Sequence, residues 1–315
     1  VNFDVVICGA GIAGIATAHH LARRGIRRVA IVDDRDPLTL TSDKSTECYR
    51  NWWPDSSMVK LMDRSIDLIE EMARESGNAF HLNRRGYVYA TADPARIPIF
   101  KAAAENAEAQ GAGPLRIHPG PVPYTPAPPH GFENQPSGAD LILDPALIRQ
   151  HFPYLAENVA AVIHARRCGW FSGQQLGMFM LERAKAGGVE VVRGRVDGVT
   201  VEGGRVKAVR LSDGRQIGAG AFVNAAGPLL KNVGNLLGVD LPVFSERHEK
   251  VAFKDYLGVV PRHAPFIIWA DPQKIDWSDE EREMLAESEE TAGLLAELPA
   301  GAHLRPEAAR RPTWC

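Results

Sequence analysis

Apolar positions along the chain change period several times, and each change marks an element. Phe3 to Cys8 is a short apolar run with the length of a buried strand. From Ile12 to about Arg24 apolar residues recur at helical spacing. Val29-Ala30-Ile31-Val32 then reads as a second buried strand ending on Asp33. Leu61, Ile66, Leu68, Ile69 and Met72 form a stripe that predicts a helix from about Met58 to Ser76. Gly86 to Ala90 reads as a strand and roughly Ile99 to Gln110 as a helix. Proline recurs from Gly113 to Gly138, which argues against helix and central strand and predicts an ordered surface loop. Asp144 before Pro145 starts a short helix to His151, and a helix from Gln174 to Ala186 stops at Gly187-Gly188. A β-rich meander follows: Val189 to Val192, Val199 to Val201, Val206 to Leu211, with turns at Glu202-Gly203-Gly204 and Ser212-Asp213-Gly214. It returns through Ala221 to Asn224 into Ala225-Ala226-Gly227-Pro228. Residues 278–297 predict an acidic, solvated helix.

The first strand, helix and second strand enclose Gly9-Ala10-Gly11-Ile12-Ala13-Gly14, a glycine turn with the spacing of a dinucleotide-binding fingerprint. Gly9 permits the sharp exit from the strand. Gly11 leaves room for a pyrophosphate against the backbone, and Gly14 permits close helix–sheet packing. The amides near Ile12 and Ala13, at the helix start, point toward bound phosphate. Asp33 lies 33 − 14 = 19 residues past the last glycine, where an acid accepts ribose hydroxyls and disfavours a 2′-phosphate. Asp34 and Arg35 flank it as further contacts. The motif alone separates neither NAD from FAD nor one reaction from another.

Composition narrows the class. The 315 residues are 45% hydrophobic and suit a sizeable core in one large or two medium domains. A net charge of −3 gives no bulk attraction to nucleic acid or membrane. No apolar run is long enough to span a bilayer. The opening segment is interrupted by glycines and His19-His20, unlike a signal peptide. Cys8, Cys48, Cys168 and Cys315 form no metal or CxxC pattern, so no metal is expected and a cytoplasmic location is.

Three blocks occur in order: Gly9 to Gly14 with Asp33, Gly194-Arg195-Val196, and Phe222-Val223-Asn224-Ala225-Ala226-Gly227-Pro228. Together they resemble the FAD-dependent amine and amino-acid oxidoreductases of the D-amino acid oxidase, glycine oxidase and sarcosine oxidase group, up to about residue 306. The resemblance implies FAD and an α/β fold: a discontinuous Rossmann-like FAD-binding domain with an inserted mixed-sheet α+β substrate domain. The expected boundaries are 1–82 and 161–236 for the first, 83–160 and 237–306 for the second, and 307–315 for an irregular tail. By the same resemblance, Val196 contacts adenine through its backbone, and Ala225, Ala226 and Gly227 pass close to the cofactor. Ser42, Lys44, Ser45 and Thr46 belong to a loop under the flavin, where a cation favours the anionic reduced form. Cys48, near that loop, reads as an unmodified thiol.

No catalytic residue is assigned. Arg50, whose guanidinium matches a carboxylate, Arg247 and His248 are the substrate-side candidates. The implied reaction oxidises the C–N bond of a small amine or amino acid by hydride transfer to flavin, with O₂ or another electron acceptor closing the cycle. Two other readings stay open: a flavin or nicotinamide dehydrogenase acting on a hydroxy compound, and a catalytically dead nucleotide-binding remnant. The family's closing C-terminal strand, glycine turn and helix have no counterpart before Cys315. The expectation is a truncated chain with weakened flavin binding.

Overall fold

The computed structural model describes residues 2–246, 248 and 250–306, and its contacts divide the chain into two units. The first takes Val1–Glu47 and Phe171–Ala252; the second takes Cys48–Trp170 and the chain from Phe253 onward. The chain thus crosses between units at 47/48, 170/171 and 252/253, whereas the sequence reading drew its boundaries at 82/83, 160/161 and 236/237. The helix Ser56–Glu75 accounts for the largest difference. Its Val59 packs into a core with Trp52, Tyr87 and Phe266, all of the second unit.

A six-stranded sheet organises the first unit. In spatial order its strands are Val196–Glu202, Arg205–Leu211, Gln216–Asn224, Asn2–Cys8, Val29–Asp33 and Glu190–Arg193. The last four run parallel, with Val6 opposite both Phe222 and Ala30. The inner pair, Asn2–Cys8 and Val29–Asp33, reads as near-continuous apolar runs, as inner parallel strands do. Helix Ile12–Arg23 packs on helix Gly173–Ala186, whose N-cap Ser172 accepts the Gln175 amide. The first three strands form an antiparallel meander. Its tight turn places Gly203 and Gly204 at φ +56° and +72°, the pair a two-residue hairpin needs.

The second unit holds a mixed sheet ordered His303–Leu304, Phe266–Trp269, Tyr87–Thr91, Ala161–Ala165, Ala139–Ile142 and Leu115–His118. A separate two-stranded pair joins Cys48–Arg50 to Cys168–Trp170. The alternation of strand residues separates two cores. Tyr87, Ile163, Leu141 and Phe266 lie in one; Val88, Ala90, Val162 and Ile142 lie in the other.

The proline-rich segment is irregular except for Leu115–His118 at its start, and polar groups fasten it to the sheet. Tyr124 donates its hydroxyl proton to His164 Nδ1 at 2.7 Å, because His164 Nε2 must donate to the Arg85 carbonyl at 2.8 Å. Burial, then the nearby Arg166 charge, pulls the His164 pKa down to about 3. Below the ordinary value near 6.5 the unfolded chain takes up a proton that the folded chain refuses. Stability of this unit is therefore expected to fall as pH drops from about 6.5 toward about 3. Denaturation midpoints across that window should slope less steeply in His164→Gln, which can keep both hydrogen bonds. Equal slopes would contradict this assignment.

The acidic segment after Trp277 is not one helix. It forms Asp279–Ala286, with a full capping box on Ser278 and Glu281, then Glu289–Ala292, restarted by the Ser288 cap. Arg247 and the tail 307–315 lie outside the described residues. Among the described residues no helix is long and apolar enough to cross a membrane, and no group of His, Cys, Asp and Glu could hold a metal ion.

Candidate functional site

The glycine turn works because two backbones touch there. Gly9 sits at φ +114°, and a Cβ on it would lie 2.3 Å from the Ala225 carbonyl oxygen. A Cβ on Gly14 would lie 1.9 Å from the Gly9 carbonyl oxygen. Neither position admits a side chain without moving strand or helix, so both glycines follow from sterics. Gly9 N–H donates to Val32 O at 2.8 Å and Ala225 N–H to Cys8 O at 2.9 Å, which ties together the ends of three parallel strands.

Beyond those strand ends opens a cavity of about 650 Å³, entirely within the first unit. Gly9, Gly11, Ile12, Ala13, Asp33, Asp34, Arg35, Ser42, Val196, Ala225, Ala226 and Gly227 all line it. Parallel α/β sheets bind ligands at this edge, outside the carboxyl ends of the strands. Gly14 lies behind the turn and contributes packing. Of the loop expected beneath a flavin, Ser42 lines the cavity, whereas Lys44, Ser45 and Thr46 do not. Lys44 is exposed and paired with Asp43 at 2.5 Å, and the Ser45 hydroxyl accepts the Glu47 amide at 2.9 Å. The segment Thr41–Lys44 is a single helical turn, not an open loop.

Two polar side chains shape the cavity rim. Asp33 accepts the Ala10 amide at 2.8 Å on one oxygen and the Arg35 amide at 2.9 Å on the other. Its carboxylate thereby clamps the glycine turn to the end of the second strand, with lone pairs left for a ligand hydroxyl. The Ser42 hydroxyl accepts the Ile12 amide at 3.0 Å, at the start of the first helix. Its own proton remains to be donated, which extends the reach of that helix terminus toward an anion. The cavity floor carries the Cys8 thiol. Burial, followed by Asp33 and Asp34, pushes it up to about 12 and keeps it protonated.

The sequence reading passed over the loop that closes this rim. Thr39, Leu40 and Thr41 line the cavity, and Leu38 and Leu40 both adopt left-handed backbone at φ +63° and +56°. Such residues cost about 1–3 kcal/mol each and need neighbours that hold them. Leu38 has them: its amide donates to Ala10 O at 2.9 Å and its carbonyl accepts Gln174 Nε2 at 3.0 Å. Its side chain is buried against the Cα face of Gly177. No period in the sequence reveals a leucine held in this way. Arg195 and Ser212, legible only as parts of a three-residue block and a turn, and Asn232, which carries no pattern, are further lining residues.

Of the substrate-side candidates, Arg50 and His248 do not line this cavity. Arg50 is in the second unit, stacked on Trp53 and bonded to Tyr89. His248 is exposed and 3.7 Å from Glu246, and Arg247 falls outside the described residues.

A family model described as DAO, FAD dependent oxidoreductase, matches residues 4–276. Mitochondrial dimethylglycine dehydrogenase of Rattus norvegicus is 23% identical over 249 residues, which are 79% of this chain and 26% of that protein. The chain therefore spans about a quarter of the length of the curated relatives it matches. L-proline dehydrogenase from P. horikoshii superposes with a TM-score of 0.66 at 20% identity, covering 87% of this chain and 67% of that one. Glycine oxidase from Geobacillus kaustophilus gives 0.63 at 19% identity, covering 77% and 60%. At these identities the two structures establish a shared fold.

Proposed function

We propose a function on one premise: the chain belongs to the FAD dependent oxidoreductase family. The reading is that its first unit binds FAD and that the protein oxidises the C–N bond of a small amine or amino acid. One observation carries it. The cavity gathers the glycine turn, the acid pair after the second strand, Ser42, Val196 and the Ala225 to Gly227 strand end around one space. The donor set suits a dinucleotide. Gly9 and Gly11 let a pyrophosphate reach the backbone, and the Ala13 amide with the Ser42 hydroxyl supplies donors to it. Asp33 and Asp34 suit ribose hydroxyls and repel a 2′-phosphate. Val196 and the short side chains of Ala225 and Ala226 admit flat rings against backbone.

When bound, FAD supplies a hydride acceptor for a substrate C–H. The protein's part is to fix the cofactor and exclude alternative poses. The Asp33 clamp on Ala10 and Arg35, and the bond from Ile12 to Ser42, hold the donors before the ligand arrives. Lys44, Ser45 and Thr46 would require rearrangement of the Thr41–Lys44 turn to reach it.

Anaerobic mixing of the FAD-loaded chain with primary and N-methylated amino acids, and with the matching hydroxy acids, tests the reaction class. Bleaching of the visible flavin band by the amino compounds is expected. Bleaching by the hydroxy acids alone would replace this reading with a hydroxy-compound dehydrogenase.

A further inference from the structure

In the second unit the proline-rich segment contains one regular run. From Pro121 to Pro129 the chain reads Pro-Val-Pro-Tyr-Thr-Pro-Ala-Pro-Pro. Proline fixes its own φ at about −65° and pushes the residue before it into extended backbone. Of these nine residues only Tyr124 is neither a proline nor followed by one. No residue of the run has a positive φ, and 122–128 shows neither turn nor bend. These constraints give a polyproline II helix, with about three residues per turn and a rise of about 3.1 Å per residue.

Exposure follows that period. Tyr124 is buried and Ala127 half-buried, on the face turned to the protein. Pro123, Pro126 and Pro129 share another face, and all three are exposed. The run is anchored from behind. Tyr124 bonds His164 Nδ1 at 2.7 Å, and its ring packs on Phe152. The Thr125 carbonyl accepts Arg166 Nη2 at 2.7 Å, and the Pro129 carbonyl accepts Arg85 Nε at 2.7 Å. The exposed prolines therefore stand as a fixed ridge about 19 Å long. Val122, Thr125 and Pro128 precede them, so the ridge presents three X-Pro pairs about 9 Å apart.

We propose that this ridge is a docking ligand for a partner protein whose groove is lined by aromatic side chains. Such grooves seat X-Pro pairs between aromatic walls, and the run offers one pair per turn. A polyproline helix gives up little conformational freedom on binding, and the anchors at Tyr124, Thr125 and Pro129 lower that cost further. The run has no charged side chain, so proline rings and their preceding residues set recognition rather than a charge pattern. This interaction goes beyond the flavin reading and needs no cofactor.

The test is titration of the full chain into a panel of isolated, isotope-labelled SH3 and WW domains, whose grooves have this chemistry. Binding is read from NMR shifts of the groove residues and by calorimetry. Saturable binding to at least one domain is expected, and it should vanish when the domain's groove tryptophan is replaced by alanine. Pro126→Ala, at the centre of the ridge, should weaken binding about tenfold, the scale of a truncated anchor. Pro123→Ala combined with Pro126→Ala should abolish it. Tyr124→Phe keeps every ridge residue and loses the bond to His164, so it should weaken binding a few-fold by loosening the run. Should Pro126→Ala lower the melting temperature, Pro123→Ala alone gives the same reading from the other end of the ridge. A panel with no binding, binding that survives loss of the groove tryptophan, or affinity unchanged in a folded Pro126→Ala chain would overturn the docking ridge. Unchanged affinity in Tyr124→Phe would overturn the part played by the anchor.

Discussion

A chain carrying Gly14→Val is expected to purify without FAD and to melt well below the parent. The Cβ position at Gly14 is 1.9 Å from the Gly9 carbonyl oxygen, which is backbone and has no rotamer to change. Helix Ile12–Arg23 must therefore lift from the sheet or the glycine turn must open. Overpacking of this kind costs about 1–3 kcal/mol, sometimes more. The same movement displaces the Ile12 and Ala13 amides, Ser42 and the Asp33 clamp together. A loss of about 1.4 kcal/mol in cofactor contacts already weakens binding tenfold. Gly9→Ala should behave similarly, since it combines φ +114° with a Cβ only 2.3 Å from Ala225 O. Paired thermal melts and FAD titrations would check this. A Gly14→Val chain that binds FAD like the parent would show that the turn is not where the cofactor is held.

Asp140→Ala is expected to cost about 3–5 kcal/mol in the second unit, the range for removing one partner of a buried ion pair. Asp140 is buried and accepts from Arg116 at 2.8 and 3.0 Å, from Arg166, and from His118 Nε2 at 2.8 Å. Without it the buried Arg166 guanidinium is left with no counter-ion, and the partly exposed Arg116 loses its own. Burial alone would raise the Asp140 carboxyl, but Arg116, Arg166 and His118 outweigh it and hold it well below the carboxylate range. The sign follows: this stabilisation is complete above the unfolded value of about 3.9 and is lost as pH falls through the lower folded value. The loss reaches the proline-rich segment as well. Arg166 also donates to Thr125 O at 2.7 Å and Arg116 to Ser137 O at 3.0 Å, so freed arginines loosen its middle and its C-terminal end. Urea unfolding at neutral pH and limited proteolysis within 119–138 would measure both effects. Destabilisation below about 1 kcal/mol would mean the arginines find other partners.

The elements legible in the sequence were those with a local cause. Asp144 and the Gly203-Gly204 turn act within a few residues, and each stands where the pattern put it. The strand–glycine turn–helix–strand unit was legible because steric demand at Gly9 and Gly14 leaves no other residue type. Strands Ala139–Ile142 and Ala161–Ala165 carried too little alternation to be read, since burial on both faces removes it. The break at Glu287-Ser288 hides in a run of acids, because Ser288 reads equally as a solvated helix position and as a cap. Within the cavity the turn and the acids could be read from spacing. Leu38 and Leu40 could not, as their backbone is set by Ala10 and Gln174 from distant parts of the chain. Arg50 was legible as a carboxylate-binding type. Its bond to Tyr89, 39 residues away in sequence, has no local signal.

Titration of the chain with FAD, followed by visible absorption and calorimetry, tests the central claim most directly. One FAD per chain is predicted, bound saturably with a resolved protein-bound flavin spectrum, and lost in Gly14→Val. A folded parent chain that takes up no FAD, or one that binds it unchanged after the Gly14 substitution, would contradict the assignment of the cavity.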